Sequence, residues 1–173
     1  MLTMLTTTIK NIVKEARSNG QDIHALAERL DSDMVDILIT FCGKHPEFHT
    51  YRKAIELYDL GKGHWGSFCN YTGEVHINSE LVNGLAKRIA IGTGEDLAYK
   101  FVETMLHEHR HAYQYKHKLP MTKVSYVDAS VDYQAYYNHP MEVDAREFAK
   151  AYAEDAICYL ICKLAKIYKE STM

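Results

Sequence analysis

The segment at residues 105–117 holds four of the ten histidines of the chain and contains the pattern His107-Glu108-x-x-His111. On an α-helix, residues four apart project from one face, so His107 and His111 can direct imidazole nitrogens to the same ion. Glu108 is rotated by about 100 degrees from His107, so it is better placed to reach a water on the ion than the ion itself. A catalytic zinc site has three protein ligands and an open position. A third ligand is therefore required elsewhere.

The surrounding sequence predicts the helix that this motif needs. Thr93 is suited to be its N-cap, acidic residues occupy its first turn, and the helix is expected to last until Leu119-Pro120. Residues 122–138 are rich in Tyr, Ser and Asp and have little helical periodicity. Pro140 then suits the first turn of a second long helix of strong helix formers. The motif and this second helix are thus separated by an irregular loop.

Upstream of the motif, the patterns predict helices and one hairpin. Apolar residues recur at helical spacing through the first forty residues, and further helices are expected from Pro46 to the glycines at 61 and 63 and from residue 79 to 91. Val75 and Ile77 alternate with polar residues, which indicates a strand, and residues 70–73 suit a hairpin turn after a strand near 65–69. The predicted fold class is α+β: mostly helical, with a small antiparallel sheet.

The start of the second long helix resembles a known group of enzymes. Glu142 follows His111 by 31 residues and begins the pattern Glu142-x-x-Ala145-x-x-Phe148-Ala149. HExxH followed by Glu-x-x-Ala is similar to the gluzincin zinc metallopeptidases, and this version resembles their small bacterial and phage members, including the repressor-cleaving and SprT-like types.

This resemblance implies an active-site helix pair in which two helices supply His107, His111 and Glu142 to one Zn²⁺, with Glu108 as general base. Asp144 stays open as an alternative third ligand. Several of these families have Asp at the position of Arg146, where it supports a ligand histidine. That support is then expected from another group, with Asp144, Asp128, Asp132 or a backbone carbonyl as candidates.

The resemblance covers residues 64–150 and includes the predicted strand. Minimal gluzincins have an edge strand along which the substrate peptide lies extended, a recognition mode that uses main-chain pairing. It implies that this substrate edge strand is formed by Glu74, Val75, His76 and Ile77.

Other polar residues near the motif have more than one candidate role. A Tyr or His hydrogen bond to the oxyanion is a common addition in zinc peptidases, although packing over the site is the commoner role for rings such as Tyr126 and its neighbours. Gln114 either hydrogen-bonds within the site or lies at its rim, whereas His109 and His117 are expected on the surface. The candidates for substrate or oxyanion contacts are His139, Tyr133, Tyr136 and Tyr137.

Composition narrows the function classes. With 47% apolar and 25% charged residues, the 173-residue chain is typical of a single globular domain. Within it a helical region is expected at 1–60 and the end of the last helix at 151–173, and the resemblance implies a metallopeptidase core at 64–150. A net charge of -3 without basic clusters argues against nucleic acid as a partner. No stretch predicts a signal peptide or a membrane span, so a cytoplasmic location without a membrane partner is expected.

The sequence therefore predicts a zinc-dependent metallopeptidase that acts on a peptide or protein substrate. Two alternatives stay open: a metal-containing regulator or peptide-binding module without turnover, and a zinc hydrolase that does not cleave peptides. Glu108 argues against the first, because a purely structural site needs no general base. Neither the oligomeric state nor the identity of the substrate is predicted.

Overall fold

The computed structural model of the protein describes residues 1–49, 55–60 and 63–170, and most of these residues are helical. The described residues also form a small sheet and one 3-10 turn, Pro120–Lys123. In chain order, the helices and strands are α1 (Leu2–Ser18), α2 (Ile23–Lys44), β1 (Ile55–Tyr58), β2 (Gly66–Cys69), β3 (Glu74–Asn78), α3 (Ser79–Val82), α4 (Leu85–Ala90), α5 (Glu95–Lys116), α6 (Tyr133–Tyr137) and α7 (Pro140–Glu170). The α+β class is confirmed.

The sheet is mixed rather than antiparallel. Its strand order is β1-β3-β2, with β1 parallel and β2 antiparallel to β3. The predicted hairpin of β2 and β3 is confirmed, with Gly66 opposite Ile77 and Cys69 opposite Glu74. The alternation of Val75 and Ile77 is also explained, because both side chains are fully buried.

The prediction that residues 74–77 form the edge strand is wrong. The central strand contains Glu74, Val75, His76 and Ile77. The last three are paired with both β1 and β2, and Glu74 is paired with Cys69 of β2. Alternation shows that one face of a strand is buried, but it does not show whether both of its edges are paired. The strand at the edge nearest to α5 is β2.

The helix predicted from Pro46 to residue 61 is also wrong where the structure describes it. Residues 45–47 form a bend and turn, and β1 occupies 55–58; residues 50–54 and 61–62 lie outside the described part. Pairing of β1 with β3 overrides the local pattern.

Smaller differences concern helix ends. The helix expected over 79–91 is divided at Gly84, whose φ of 73 degrees favours glycine, and α5 begins after Gly94 rather than Thr93.

Buried apolar residues from α1, α2, the sheet, α4, α5 and α7 form one core cluster. Helix α5 lies at the centre of the fold and contacts α1, α2, α4, α7, β2 and β3. The core face of α7 carries small residues, Ala149, Ala153 and Ala156, which let α5 approach closely. The two long helices can therefore bring side chains to a common point. Within the described residues, no helix combines the length and apolarity needed to cross a membrane.

Candidate metal centre

Three side chains from α5 and α7 converge at one point: His107, His111 and Glu142. The two histidine Nε2 atoms are 3.0 Å apart, and they lie 3.1 and 3.3 Å from the two carboxylate oxygens of Glu142. An ion in tetrahedral coordination with bonds of about 2.0 to 2.1 Å holds its ligand atoms roughly 3.3 Å apart. The three residues predicted as ligands are thus brought together, and the cluster can hold a metal ion.

The pKa values of the three side chains show how the cluster is protonated when no metal is bound. Burial would lower the pKa of His111, but its hydrogen bond to Glu142 and the charge of Glu108 outweigh burial and raise it to about 9. Burial and the charge of His111 lower the pKa of His107 to about 4. Burial opposes ionisation of Glu142, yet hydrogen bonds from both histidines hold the pKa of that carboxyl well below its usual range. Without a metal, His111 is therefore the protonated imidazole and His107 is neutral, and a metal ion would replace the proton on His111 Nε2.

Gln114 fixes the orientation of His111. The Nδ1–H of His111 donates to Gln114 Oε1 at 2.8 Å, which leaves Nε2 as the nitrogen that faces the cluster. The amide nitrogen of Gln114 donates to the backbone oxygen of Met141 at 2.9 Å and to Asp144 Oδ2 at 2.7 Å. Gln114 is fully buried, so it belongs to the site rather than to its rim.

Asp144 supports the site from behind Gln114 and is not positioned as a ligand. Its carboxylate accepts from Arg110 Nε at 2.7 Å and from Nη2 at 3.2 Å. The third nitrogen of Arg110 donates to the backbone and side chain of Glu47, at 2.8 and 3.0 Å. A continuous chain of hydrogen bonds thus runs from His111 through Gln114, Asp144 and Arg110 to Glu47, in the turn that follows α2. The other two aspartates considered as support for a ligand histidine have different partners: Asp128 accepts from Ser130, and Asp132 caps α6.

Glu108 lies beside the cluster, between α5 and β2. It is only 5% exposed, and burial raises its pKa to about 7. Gly66 of β2 leaves room for this side chain: a Cβ at Gly66 would lie 2.8 Å from Glu108 Cγ, 2.9 Å from its Oε1 and 2.7 Å from Thr104 Cγ2. Nothing in the sequence pattern singled out Gly66 for this role, because the contact joins residues far apart in the chain.

The cluster opens into a cleft of about 1250 Å³ between β2, α5, α7 and the tyrosine-rich segment. Tyr126 donates its hydroxyl to Glu142 Oε1 at 2.8 Å, and so holds the carboxylate in place. Tyr136 is half-buried; burial and the charges of Glu142 and Glu108 raise its pKa. Tyr133 and Tyr137 are exposed at the cleft mouth, with their rings stacked. Of the three tyrosines predicted to contact substrate, Tyr136 is therefore the one that is half-buried and has its pKa raised by the charges of Glu142 and Glu108.

Three histidines near the motif lie outside the cluster. His139 is buried beside the Tyr126 ring, accepts from the Met141 backbone at 3.3 Å and does not line the cleft, so its placement does not support a substrate contact. The prediction that His109 is exposed is wrong: it is fully buried and donates from Nδ1 to the Met105 carbonyl at 2.6 Å. Helix α5 is covered on more than one side, which its own pattern did not reveal. His117 is exposed, as predicted.

The chain matches no protein-family model, and no curated protein or solved structure is significantly similar to it. The guide to function is therefore the side-chain geometry. It consists of three converging metal-binding groups, a buried carboxylate beside them and an open cleft.

Proposed function

We propose that the protein is a zinc-dependent metallopeptidase of the gluzincin type. The observation that carries this proposal is the buried Glu108 carboxyl next to a cluster of two imidazoles and one carboxylate that opens into a cleft. Two His and one Glu form one of the ligand sets found in catalytic zinc sites. The α5 and α7 pair then corresponds to the two ligand helices that the sequence resemblance implies.

Glu108 is the group that moves protons in this proposal. Bound Zn²⁺ would supply Lewis acidity, which polarises a carbonyl and makes water acidic near neutral pH. With a divalent charge beside it, Glu108 ionises below its metal-free pKa of about 7. As a carboxylate it accepts a proton from the attacking water, and it then donates that proton to the leaving amine.

The walls of the cleft suit an extended peptide. Strand β2 is the outer strand of the described sheet on the side of α5 and lines the cleft, so a substrate peptide is proposed to lie along it. This assigns to β2 the role that the sequence resemblance implied for residues 74–77. The Tyr136 hydroxyl is the proposed donor to the oxyanion. Tyr136 lines the cleft, and burial together with the charges of Glu142 and Glu108 raises its pKa.

Metal content is the first test. The purified full-length protein is expected to hold one equivalent of zinc, and His107→Ala and Glu142→Ala are each expected to lose it. His117→Ala is the matched control, because this histidine is on the same stretch of chain but exposed and outside the cluster. Absence of zinc from the wild type under metal-replete conditions at neutral pH contradicts the proposal.

Turnover is the second test, with Glu108→Gln as the variant. The substitution keeps the size of the side chain but removes its capacity to accept a proton, and general-base catalysis contributes roughly 10²- to 10⁴-fold. Zinc content is expected to be unchanged while cleavage of a peptide library falls by at least that lower factor. Equal cleavage by both proteins eliminates Glu108 as the base. A zinc-loaded wild type that binds peptides but cleaves none favours the binding-module alternative.

A further inference from the structure

Arg146 lies one helical turn after Glu142 on α7 and lines the same cleft. Its Nη2 donates to the backbone oxygen of Tyr137, and its guanidinium carbon is 3.8 Å from the centre of the Tyr137 ring. These contacts hold the guanidinium in a defined orientation before any ligand binds. Because it is held in advance, less conformational entropy is lost on binding.

The guanidinium has no acidic partner within the described residues. Seven carboxylates of residues 1–49, 55–60 and 63–170 form ion pairs with Lys, Arg or His side chains, but none of those pairs involves Arg146 or Lys150. Five acids also line the cleft: Glu103, which pairs with Lys100 at 4.0 Å, Glu108, Asp128, Glu142 and Glu147. In the described part of the chain, none of these carboxylates forms an ion pair with Arg146.

Arg146 is also close to the cluster. It is one helical turn from Glu142, and the cleft that it lines is also lined by His107 and Glu142. A ligand held by Arg146 therefore lies near the bond that would be cleaved. A half-buried, oriented guanidinium recognises a carboxylate with paired, charge-assisted hydrogen bonds.

We propose that Arg146 forms a carboxylate-binding subsite that selects peptides with a carboxylate close to the scissile bond, with Lys150 one turn further along α7 as a second cation. This inference rests on the proposed peptidase function for the nature of its ligand. The carboxylate belongs either to an Asp or Glu side chain or to the C-terminus of the substrate. Arg146 is thereby a specificity-determining residue.

The test measures equilibrium binding to zinc-loaded, full-length Glu108→Gln protein, which does not depend on turnover. Three pools of short peptides serve as probes. The first contains one Glu and has both termini blocked; the second is identical with Gln in place of Glu; the third is the Gln pool with a free C-terminal carboxylate. We expect the first or third pool to bind roughly tenfold to a hundredfold tighter than the second. Whichever pool gains identifies the source of the carboxylate.

Arg146→Gln in the same background is expected to abolish this preference, and Arg146→Lys to keep part of it. Arg17→Gln is the matched control, since Arg17 is exposed on α1, away from the cleft. Arg146→Glu is expected to reverse the preference toward pools that carry Lys, which loss of a merely structural contact would not do.

Equal binding of the three pools, or no measurable binding of any, overturns the subsite. Failure of the zinc-loaded wild type to cleave peptides, with the binding preference present, overturns the proposed function alone. The two failures are therefore distinguishable.

Discussion

The position of Glu108 depends on the absence of a side chain at Gly66. Gly66 does not have a positive φ, so alanine there is not strained in its backbone and acts only through contact. A Cβ at this position would lie 2.7 to 2.9 Å from atoms of Thr104 and Glu108. Carbon atoms pack at about 3.5 to 4.0 Å, so Gly66→Ala must displace Glu108 or β2 by roughly 0.6 to 0.8 Å or more.

A displacement of this size affects activity and stability differently. Misplacing a catalytic group by 1 Å can lower the rate by about 10²-fold, so we expect kcat/KM for peptide cleavage to fall by an amount of that order. Overpacking lowers the free energy of unfolding by about 1 to 3 kcal/mol. Zinc content is expected to stay at one equivalent, because the atoms nearest to a Cβ at Gly66 belong to Thr104 and Glu108 and not to the three proposed ligands.

Three measurements on purified Gly66→Ala check this: kcat/KM, zinc content and chemical denaturation. Ser67→Ala is the control on the same strand, since it adds no atoms. Adding Thr104→Ala to Gly66→Ala removes the nearest colliding atom but not the contacts with Glu108, so stability is expected to recover in part and activity is not. Wild-type kcat/KM in Gly66→Ala would refute the inference that Gly66 sets the position of Glu108.

Three further predictions concern metal affinity, pH and stability. Gln114→Leu removes the acceptor of the His111 Nδ1–H, so zinc affinity in a chelator competition is expected to fall by about 10- to 100-fold; unchanged affinity contradicts the role of this hydrogen bond. His111 has a metal-free pKa of about 9 and is charged below it, so zinc must displace a proton and its affinity is expected to rise about tenfold per pH unit from 7 to 9; a flat profile contradicts the protonation of His111. Asp31 is buried and accepts from two backbone N–H groups at the start of α4, at 2.7 and 2.8 Å. Asp31→Ala is expected to lower the free energy of unfolding by about 2 to 4 kcal/mol in urea, and a change below that of an exposed control such as Asp36→Ala argues against this cap.

The ligand helices could be predicted because their signals are local. His107 and His111 share a helix, and Pro140 with the helix formers after it marks the start of α7. Helical periodicity therefore placed each ligand on the correct element. That the carboxylate of Glu142, rather than Asp144, meets the two imidazoles followed only from the resemblance, and it is the packing of α5 on α7 that brings them together.

The support of the site could not be predicted in the same way. Gln114 follows His111 by three residues, but its partner Asp144 is 30 residues further on, and Arg110 reaches Glu47 across 63 residues. The sequence did not decide which of Asp144, Asp128 and Asp132 supports the ligand histidine. That depends on which faces of the helices pack together. The closeness of Gly66 to Glu108 could not be predicted either, because these residues are far apart in the chain.

Residue types and helical spacing were enough to place His107 and His111 on one face of a helix with Glu108 beside them, because that geometry lies within two turns of one helix. The prediction of a metal site also needed Glu142 and the strand upstream. Tertiary packing decided which strand lies at the sheet edge, which histidines are buried and how Arg146 faces the cleft. These features depend on neighbours that are distant in the chain. The sequence pattern of one segment does not show which distant segments it packs against.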